Sequence, residues 1–387
     1  MQRLRAQHGI PRHVELPDGD HRVPLDLHNP ICVDILAERV RRGADAVLFE
    51  IYPPLDELTA IGPEGRFVHE LVIPFVRELP PRVATAPPIV REPVLARFTP
   101  GTAWLQVNLY TASSTADDVL HALVAPQVER ALQSGIADRW FFVRHAGPEW
   151  HLRLLVHGDP AALVSGVVPA LHAAATALLD DGRLWKLQLD TYRREVERYG
   201  GAAGIEIAEA IFQADSEAVV GIAQLLQGDE GEQARWRLGF RGIDLLLTDL
   251  GLDLSGKRAV MQTVRASFVR MLGVEPRLEH QLAANFRRER RSLEALLDPA
   301  GDQTSDLAPG IELLHERSRK LAPLARELQA RARAGRLSLP VNELARSYAH
   351  MFTNRLFRCA ALAQELVLYD WLGRLYEAGL ARRRNRT

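Results

Sequence analysis

The chain has 387 residues, of which 47% are hydrophobic and 25% charged, and its formal net charge is -1. This length allows one large domain or two moderate ones, and the composition is that of an ordinary globular protein. The balanced charge gives no reason to expect nucleic acid or an anionic membrane as a main partner.

Residues 1–78 are predicted to form a small α/β segment. The turn residues Pro17–Asp20 separate two short apolar runs, and Ile35–Val40 begins a helix. The strand candidates are Val14–Leu16, Val23–Leu25, Ala46–Ile51 and Val68–Ile73. Residues 79–100 then contain six prolines. Such a stretch is typical of a linker, so we expect a domain boundary there.

Residues 101–387 are predicted to form an α+β domain with a mixed or antiparallel sheet and a large helical C-terminal part. Trp104–Tyr110 alternates like a strand, and Trp140–Arg144 and His151–Val156 form a hairpin around Ala146–Glu149. From Ile205 onward the spacing of apolar residues is mostly helical. The last helix is expected to run without a break from Val341 to Ala378.

The hairpin strand carries a first candidate for chemistry. Residues two apart in a strand share a face, so His151 and Arg153 point the same way while Leu152 and Leu154 point into a core. Arg144 on the partner strand joins them if the strand register allows. The alternative is a solvated face of the sheet that carries ordinary surface charges.

Two further segments combine polar groups at helical spacing. Glu195 and Arg198 are three apart and can pair on a helical turn, just before the flexible pair Gly200–Gly201. His350 and Asn354 are four apart and share one helix face. A charged surface turn and a structural helical histidine are the respective alternatives.

Several classes of site have no signature in the sequence. There is no Walker loop, no GxGxxG, no HExxH and no GxSxG motif. His145, His151 and His157 have no Cys or acid pattern that completes a tetrahedral set, so no metal site is expected. The two cysteines, Cys32 and Cys359, are expected as reduced core thiols of a cytoplasmic protein. No signal peptide and no apolar run long enough to span a bilayer is expected.

Taken in order, the segments around 100–375 resemble the C-terminal elimination domain of lantibiotic dehydratases, which also occurs in thiopeptide-type bacteriocin biosynthesis proteins. The most specific motifs are Arg198-Tyr-Gly-Gly201 and His350-Met followed by Asn354-Arg-Leu356. Residues 1–78 resemble the last stretch of the preceding glutamylation domain, through Ile10–Val14 and His69–Pro74 among others. The resemblance therefore implies a stand-alone elimination subunit of a split dehydratase.

The resemblance implies a lyase that expels glutamate from glutamylated Ser or Thr residues of a precursor peptide, leaving dehydroalanine or dehydrobutyrine. Arg153 and Arg198 would hold carboxylate or enolate charge, Glu195 would orient an arginine, and His350 would move protons. The substrate would be bound by Arg144, His151, Tyr199, Asn354 and Arg355. No cofactor or metal is needed for this step.

The implied partners are the leader and glutamylated core of the precursor peptide, and a separate subunit that glutamylates from glutamyl-tRNA. The resemblance is compatible with a homodimer and implies no membrane partner and no direct contact with nucleic acid. One position departs from the pattern. Where family members commonly carry His-x-Arg-x-Arg, the last position is Leu155. Arg144, Arg193 or Arg194 are the candidates to replace that arginine.

Two other functions stay open at this point. A thiopeptide pyridine synthase, which joins two dehydroalanines by a formal [4+2] cycloaddition, resembles the same domain but tends to lose the elimination residues. A non-catalytic subunit that docks the peptide or the glutamylating partner would instead use residues 1–78 as its working surface.

Overall fold

The structure is a computed structural model that describes the chain apart from residues 19–20, 42–46, 53–56, 68–72, 74–93, 227, 275, 303–304, 360 and 385–387. It divides into two compact units, Met1–Thr85 and Ala86–Thr387. The predicted strand at Val68–Ile73, apart from Ile73, and most of the predicted linker at 79–100 lie outside the described residues.

The first unit is built on a small antiparallel sheet. After helix α1 (Gln2–His8), strands β1 (His13–Asp18) and β2 (His21–Asp26) pair, with Val14 opposite Leu25. Helix α2 (Pro30–Arg41), strand β3 (Phe49–Glu50) and the hairpin β4 (Ala60–Gly62) and β5 (Gly65–Phe67) follow. The sheet order is β2-β1-β3. Alternating residues of β1 and β2 bury a small core that Leu36 of α2 completes.

The second unit contains a four-stranded antiparallel sheet. Its strands are β7 (Trp104–Tyr110), β8 (Ala137–His145), β9 (His151–Gly158) and β10 (Lys186–Asp190), in the order β10-β7-β9-β8. A two-stranded ribbon is formed by β6 (Arg97–Phe98) and β11 (Tyr192–Arg193). The predicted hairpin of β8 and β9 is confirmed, as is the α+β fold class.

Two helices connect the strands of this sheet. Helix α3 runs through the segments Ala116–Val119, Leu120–Val124 and Ala125–Gln133, and α4 through Pro160–Ala162, Leu163–Val167 and Val168–Asp180. By length and composition α4 could cross a membrane, with a mean hydropathy of 1.8, so the expectation that no run is long enough was wrong. It buries leucine, valine and alanine side chains in the core, and a core helix passes the same test.

The remaining chain is helical, as predicted. After a short turn at Glu197–Tyr199, the helices are α5 (Ala202–Leu225), α6 (Gly228–Asp249), α7 (Leu254–Leu272), α8 (Pro276–Leu296), α9 (Ala308–Arg333), α10 (Val341–Leu356) and α11 (Ala361–Arg384). Helices α5 and α10 contact edge strand β8. Phe212 of α5 packs edge-on against Phe141 of β8.

The predicted single helix from Val341 to Ala378 was wrong, because the chain breaks between α10 and α11. No proline or glycine causes the break. Instead, buried guanidiniums bind the last carbonyls of α10: Arg144 Nε donates to Arg355 O at 2.7 Å, and Arg235 Nη1 donates to Leu356 O at 2.9 Å. Phe357 then takes an extended conformation. Cys359, expected in the core, is exposed beside this break, whereas Cys32 is partly buried.

Candidate active site

A cavity of about 650 Å³ lies over the sheet face that carries Arg153. Seven of the predicted site residues line it, namely Arg144, Arg153, Glu195, Arg198, Tyr199, His350 and Asn354. They come from strands β8 and β9, the turn before α5, and helix α10. Residues so far apart in sequence meet in one concave, polar space, which is the arrangement expected of a functional site.

Arg153 is held in place by His151, its neighbour on the same strand face. The His151 Nδ1 lies 2.7 Å from the carbonyl oxygen of Glu149, and Arg153 Nε donates to His151 Nε2 at 3.1 Å. Because Nε2 accepts this hydrogen bond, the imidazole is neutral and carries its proton on Nδ1. The Nη groups of Arg153 have no hydrogen-bond or ion-pair partner within the described part of the chain, so they are left for a ligand.

Burial governs the electrostatics of this cluster. Burial and the charge of Arg153 lower the pKa of His151, against the opposing effect of the hydrogen bond to Glu149. The pKa of His145 is lowered by burial and then by Arg153. Burial also lowers the pKa of Arg153 itself, while Asp190 acts in the opposite direction. The neutral imidazoles leave the positive charge on the guanidinium.

Arg198 supplies a second guanidinium from the turn before α5. Its Nη1 donates to both carboxylate oxygens of Glu195, at 3.2 and 3.0 Å, so the predicted pairing of these two residues is confirmed. The turn is completed by Gly200 and Gly201, whose φ angles of 87° and 83° favour glycine. Glu195 thus holds Nη1 of Arg198, and Nε donates to the Ser347 hydroxyl of α10 at 3.5 Å, whereas Nη2 has no hydrogen-bond partner among the described residues.

His350 lines the same cavity from helix α10. Its Nδ1 lies 2.9 Å from Oε2 of Glu365 on helix α11. The same oxygen accepts a hydrogen bond from the hydroxyl of Tyr369 at 2.7 Å. The Glu365 side chain is fully buried, whereas the His350 side chain is 32% exposed. Nε2 is therefore the ring nitrogen left for a substrate.

Asn354 and Tyr199 also line the cavity, but only Asn354 has its side-chain polar groups hydrogen-bonded. The Asn354 Oδ1 accepts a hydrogen bond from the Arg144 N–H at 3.1 Å, and its Nδ2 donates to the Arg144 carbonyl at 2.9 Å. These two bonds attach α10 to edge strand β8. Tyr199 is nearly buried and stacks on Tyr348, and its hydroxyl has no hydrogen-bond partner among the described residues. Burial raises the pKa of Tyr199, so this hydroxyl stays protonated.

Three predicted substrate-binding residues are placed elsewhere than expected. The register pairs Arg144 with Leu152, so its side chain points to the opposite sheet face, where its Nη2 donates to Asp117 at 2.6 Å. Arg355 is fully buried beneath the cavity, against Phe212. His151 lies beside Arg153 on the same strand face and is 3% exposed. The expected placement of the Arg144 side chain beside His151 and Arg153 was therefore wrong, and the substrate-binding role of these three residues stays a prediction.

Leu155, which stands where the family pattern has arginine, contributes an apolar side chain to the cavity wall. Of the three arginines that could replace the missing cation, Arg144 faces Asp117, and Arg194 donates to both oxygens of buried Glu209 at 2.6 and 2.7 Å. Arg193 remains: it lines the cavity and is exposed, and no ion pair engages it in the described chain.

Sequence reasoning missed Glu365 and Tyr369. Both lie in the segment predicted to continue the helix of His350. Fifteen residues separate His350 from Glu365, and in an unbroken helix that separation is about 22 Å along the axis. The only signal in the sequence is an acid four residues before a tyrosine within an apolar run, which is weak on its own.

The chain was compared with known families and proteins. The family described as "Lantibiotic biosynthesis dehydratase C-term" matches residues 104–376. The nisin biosynthesis protein NisB of Lactococcus lactis subsp. lactis is 25% identical over 227 residues, which are 56% of this chain and 22% of that protein. The chain thus spans about a fifth of the length of the curated relatives that it matches.

Solved structures share the fold. The tRNA-dependent lantibiotic dehydratase MibB from Microbispora sp. 107891 has a TM-score of 0.59 at 22% identity, covering 99% of this chain and 38% of that one. The pyridine synthase TbtD from thiomuracin biosynthesis has a TM-score of 0.53 at 16% identity, covering 72% of this chain and 100% of that one. At these identities the likeness concerns the fold alone.

Proposed function

This chain belongs to the lantibiotic biosynthesis dehydratase C-terminal family, and we propose that it eliminates glutamate from glutamylated Ser or Thr residues of a precursor peptide. Relatives that are dehydratases support an enzymatic role. The single observation that carries the proposal is that Arg153, Arg198 and His350 line one cavity.

The proposed reaction is a β-elimination. A base removes the Cα proton, the electrons of the C–H bond form the Cα=Cβ double bond, and the Cβ–O bond breaks so that glutamate leaves as a carboxylate. We assign the base to Nε2 of His350, because imidazole transfers protons near neutral pH. The unbonded N–H groups of Arg153 and Arg198 bind the glutamate carboxylates and the developing enolate charge, which guanidinium forks suit.

Under this proposal the glutamyl group comes from glutamyl-tRNA through a separate glutamylating subunit, and the peptide presents its leader and core in turn. A cytoplasmic location fits, since glutamyl-tRNA is made there. The chain itself needs no contact with the tRNA.

The test is a direct assay of elimination. The purified protein is incubated with a synthetic peptide that carries one glutamylated serine, and glutamate release and the mass of the dehydroalanine product are followed by mass spectrometry. We expect release by the wild type and a decrease of about 10²- to 10⁴-fold in His350→Ala, the range for loss of a general base. Absence of release from the wild type, with folding intact, would contradict the proposal.

Leu155 favours a second candidate function. An apolar residue where the family pattern has arginine removes one cation from the cavity, and the fold is shared with a pyridine synthase. A peptide with two dehydroalanines distinguishes the two activities. Formation of a six-membered nitrogen heterocycle from it, without glutamate release from the first peptide, would replace elimination by cycloaddition.

A further inference from the structure

Glu365 combines features that packing alone does not explain. Its carboxylate is fully buried, and its hydrogen bonds in the described chain, from His350 and Tyr369, both end on Oε2. The other oxygen, Oε1, is buried without a partner among the described residues. Burying a carboxylate with so little compensation costs free energy, and a buried ionisable group beside a cavity is a candidate for a functional role.

We propose that Glu365 is a positioning residue for His350, which it holds in the Nδ1–H form with Nε2 directed to the cavity. The inference rests on the proposed function, in which Nε2 accepts the Cα proton. When that proton arrives, the ring becomes an imidazolium whose Nδ1–H already points at a negative carboxylate. The carboxylate stabilises this charge without becoming protonated, as in other carboxylate–histidine pairs.

Tyr369 completes the arrangement from the same helix. Its hydroxyl donates to the oxygen that faces His350, and Tyr369 is itself buried. Burial and the nearby Glu365 raise the pKa of Tyr369, so the hydroxyl is a permanent donor. It fixes the carboxylate rotamer, while Thr353 binds the His350 carbonyl at 2.8 Å and fixes the helix beneath the ring.

The contact between Glu365 and His350 depends on the break between α10 and α11. In one continuous helix Glu365 could not reach His350, whereas the break after Leu356 allows Glu365 of α11 to contact His350 of α10 at 2.9 Å. The carboxylate, the imidazole and the cavity therefore lie in sequence from the interior outward. This order is the one needed for a buried group to direct a partly exposed base.

The test compares Glu365→Gln with Tyr369→Phe in the whole chain. Gln keeps the shape and an oxygen acceptor but lacks the charge that stabilises imidazolium, so we expect kcat for glutamate release to fall by about 10²-fold or more, with KM nearly unchanged. Tyr369→Phe keeps the charge and the Nδ1–H contact but removes the donor that fixes the carboxylate rotamer, so we expect a smaller decrease in kcat, of about fivefold. Equal, small effects of both variants would overturn the inference.

A second readout does not depend on activity. The ¹⁵N chemical shifts of the His350 ring in labelled protein report which nitrogen carries the proton. We expect the Nδ1–H form in the wild type and, in Glu365→Leu, a shift toward the Nε2–H form that free histidine side chains favour. An Nε2–H ring in the wild type would overturn the inference. An Nδ1–H ring in a wild type that releases no glutamate would contradict the proposed function and leave the positioning intact.

Discussion

At the scale of single residues, His151 acts on the site through Arg153. It accepts the Arg153 Nε–H only while neutral, and burial together with the charge of Arg153 keeps its pKa low. We expect His151→Leu to bind the glutamylated peptide about tenfold more weakly, because Arg153 loses one fixed hydrogen bond of about 1.5 kcal/mol. Calorimetric titration of the peptide measures this. His157→Leu, on the same strand but outside the cavity wall, is the matched control.

The same burial makes the free energy of unfolding depend on pH. The folded-state pKa values of His145 and His151 lie below the unfolded value of about 6.5, so the unfolded chain binds more protons as the pH falls below that value. The free energy of unfolding contributed by these two residues is therefore constant above about pH 6.5 and decreases as the pH is lowered through 6 and 5. Urea titrations across this range should show a smaller decrease in His151→Leu. An identical decrease in both proteins would contradict the assignment.

Leu155 and Arg193 provide a test of charge at this site. If Arg193 supplies the cation that the family pattern places at 155, Arg193→Ala should lower kcat/KM by about 10- to 100-fold, the effect of losing one charge-assisted hydrogen bond. Adding Leu155→Arg to that variant should restore part of the activity. Arg97→Ala is the matched control, because Arg97 is exposed opposite Arg193 in the β6–β11 ribbon and lies outside the cavity wall. Unchanged activity in Arg193→Ala would exclude the role.

At the scale of elements, the sequence predicts the features that depend on local spacing but not those that depend on distant contacts. Strand alternation correctly placed His151 and Arg153 on one face, and three-residue spacing correctly predicted the Glu195–Arg198 pair. Both depend on local geometry. The cross-strand register, which sends Arg144 to the other face, and the break after Leu356 are set by distant partners such as Asp117 and Arg235. No local pattern encodes such partners.

Asp117 positions the two arginines that bind the end of helix α10. It accepts hydrogen bonds from Arg144 and Arg235, both at 2.6 Å, and these guanidiniums in turn bind the last carbonyls of α10. Burial acts to raise the pKa of Asp117, but the two arginines outweigh it and lower the pKa. We expect Asp117→Asn to lower the free energy of unfolding by about 3 kcal/mol at pH 7, since it leaves buried charges unpaired.

The pH dependence of that loss has a definite sign. Because the folded-state pKa of Asp117 is depressed, its contribution is fully present above the unfolded value of about 4 and disappears as the pH falls through the lower folded value. The difference between wild type and Asp117→Asn in urea unfolding should therefore narrow below about pH 4. Asp118→Asn, one residue further along the same helix, is the control. Its free energy of unfolding should differ little from that of the wild type at every pH.

At the scale of the whole molecule, the two compact units carry separate hydrophobic cores. The first buries Val14, Leu16, Leu25, Leu27 and Leu36, and the described residues that line the cavity all lie in the second. The cavity, the His350–Glu365 pair and the Asp117 cluster all belong to residues 86–387. Catalysis and any docking role of residues 1–78 should therefore be separable by removing one unit.

We expect a truncated protein that begins at Ala86 to fold and to release glutamate from a pre-glutamylated peptide at a rate within about threefold of the full chain, because its core and cavity wall are intact. In a reaction reconstituted from glutamyl-tRNA and a glutamylating partner, the truncated protein should be slower if residues 1–78 dock that partner. Mass spectrometry of both reactions separates the two roles. Loss of release from the pre-glutamylated peptide, in a truncated protein whose circular dichroism is unchanged, would place part of the chemistry in the first unit. That outcome would contradict the assignment of the chemistry to the cavity that described residues of the second unit line.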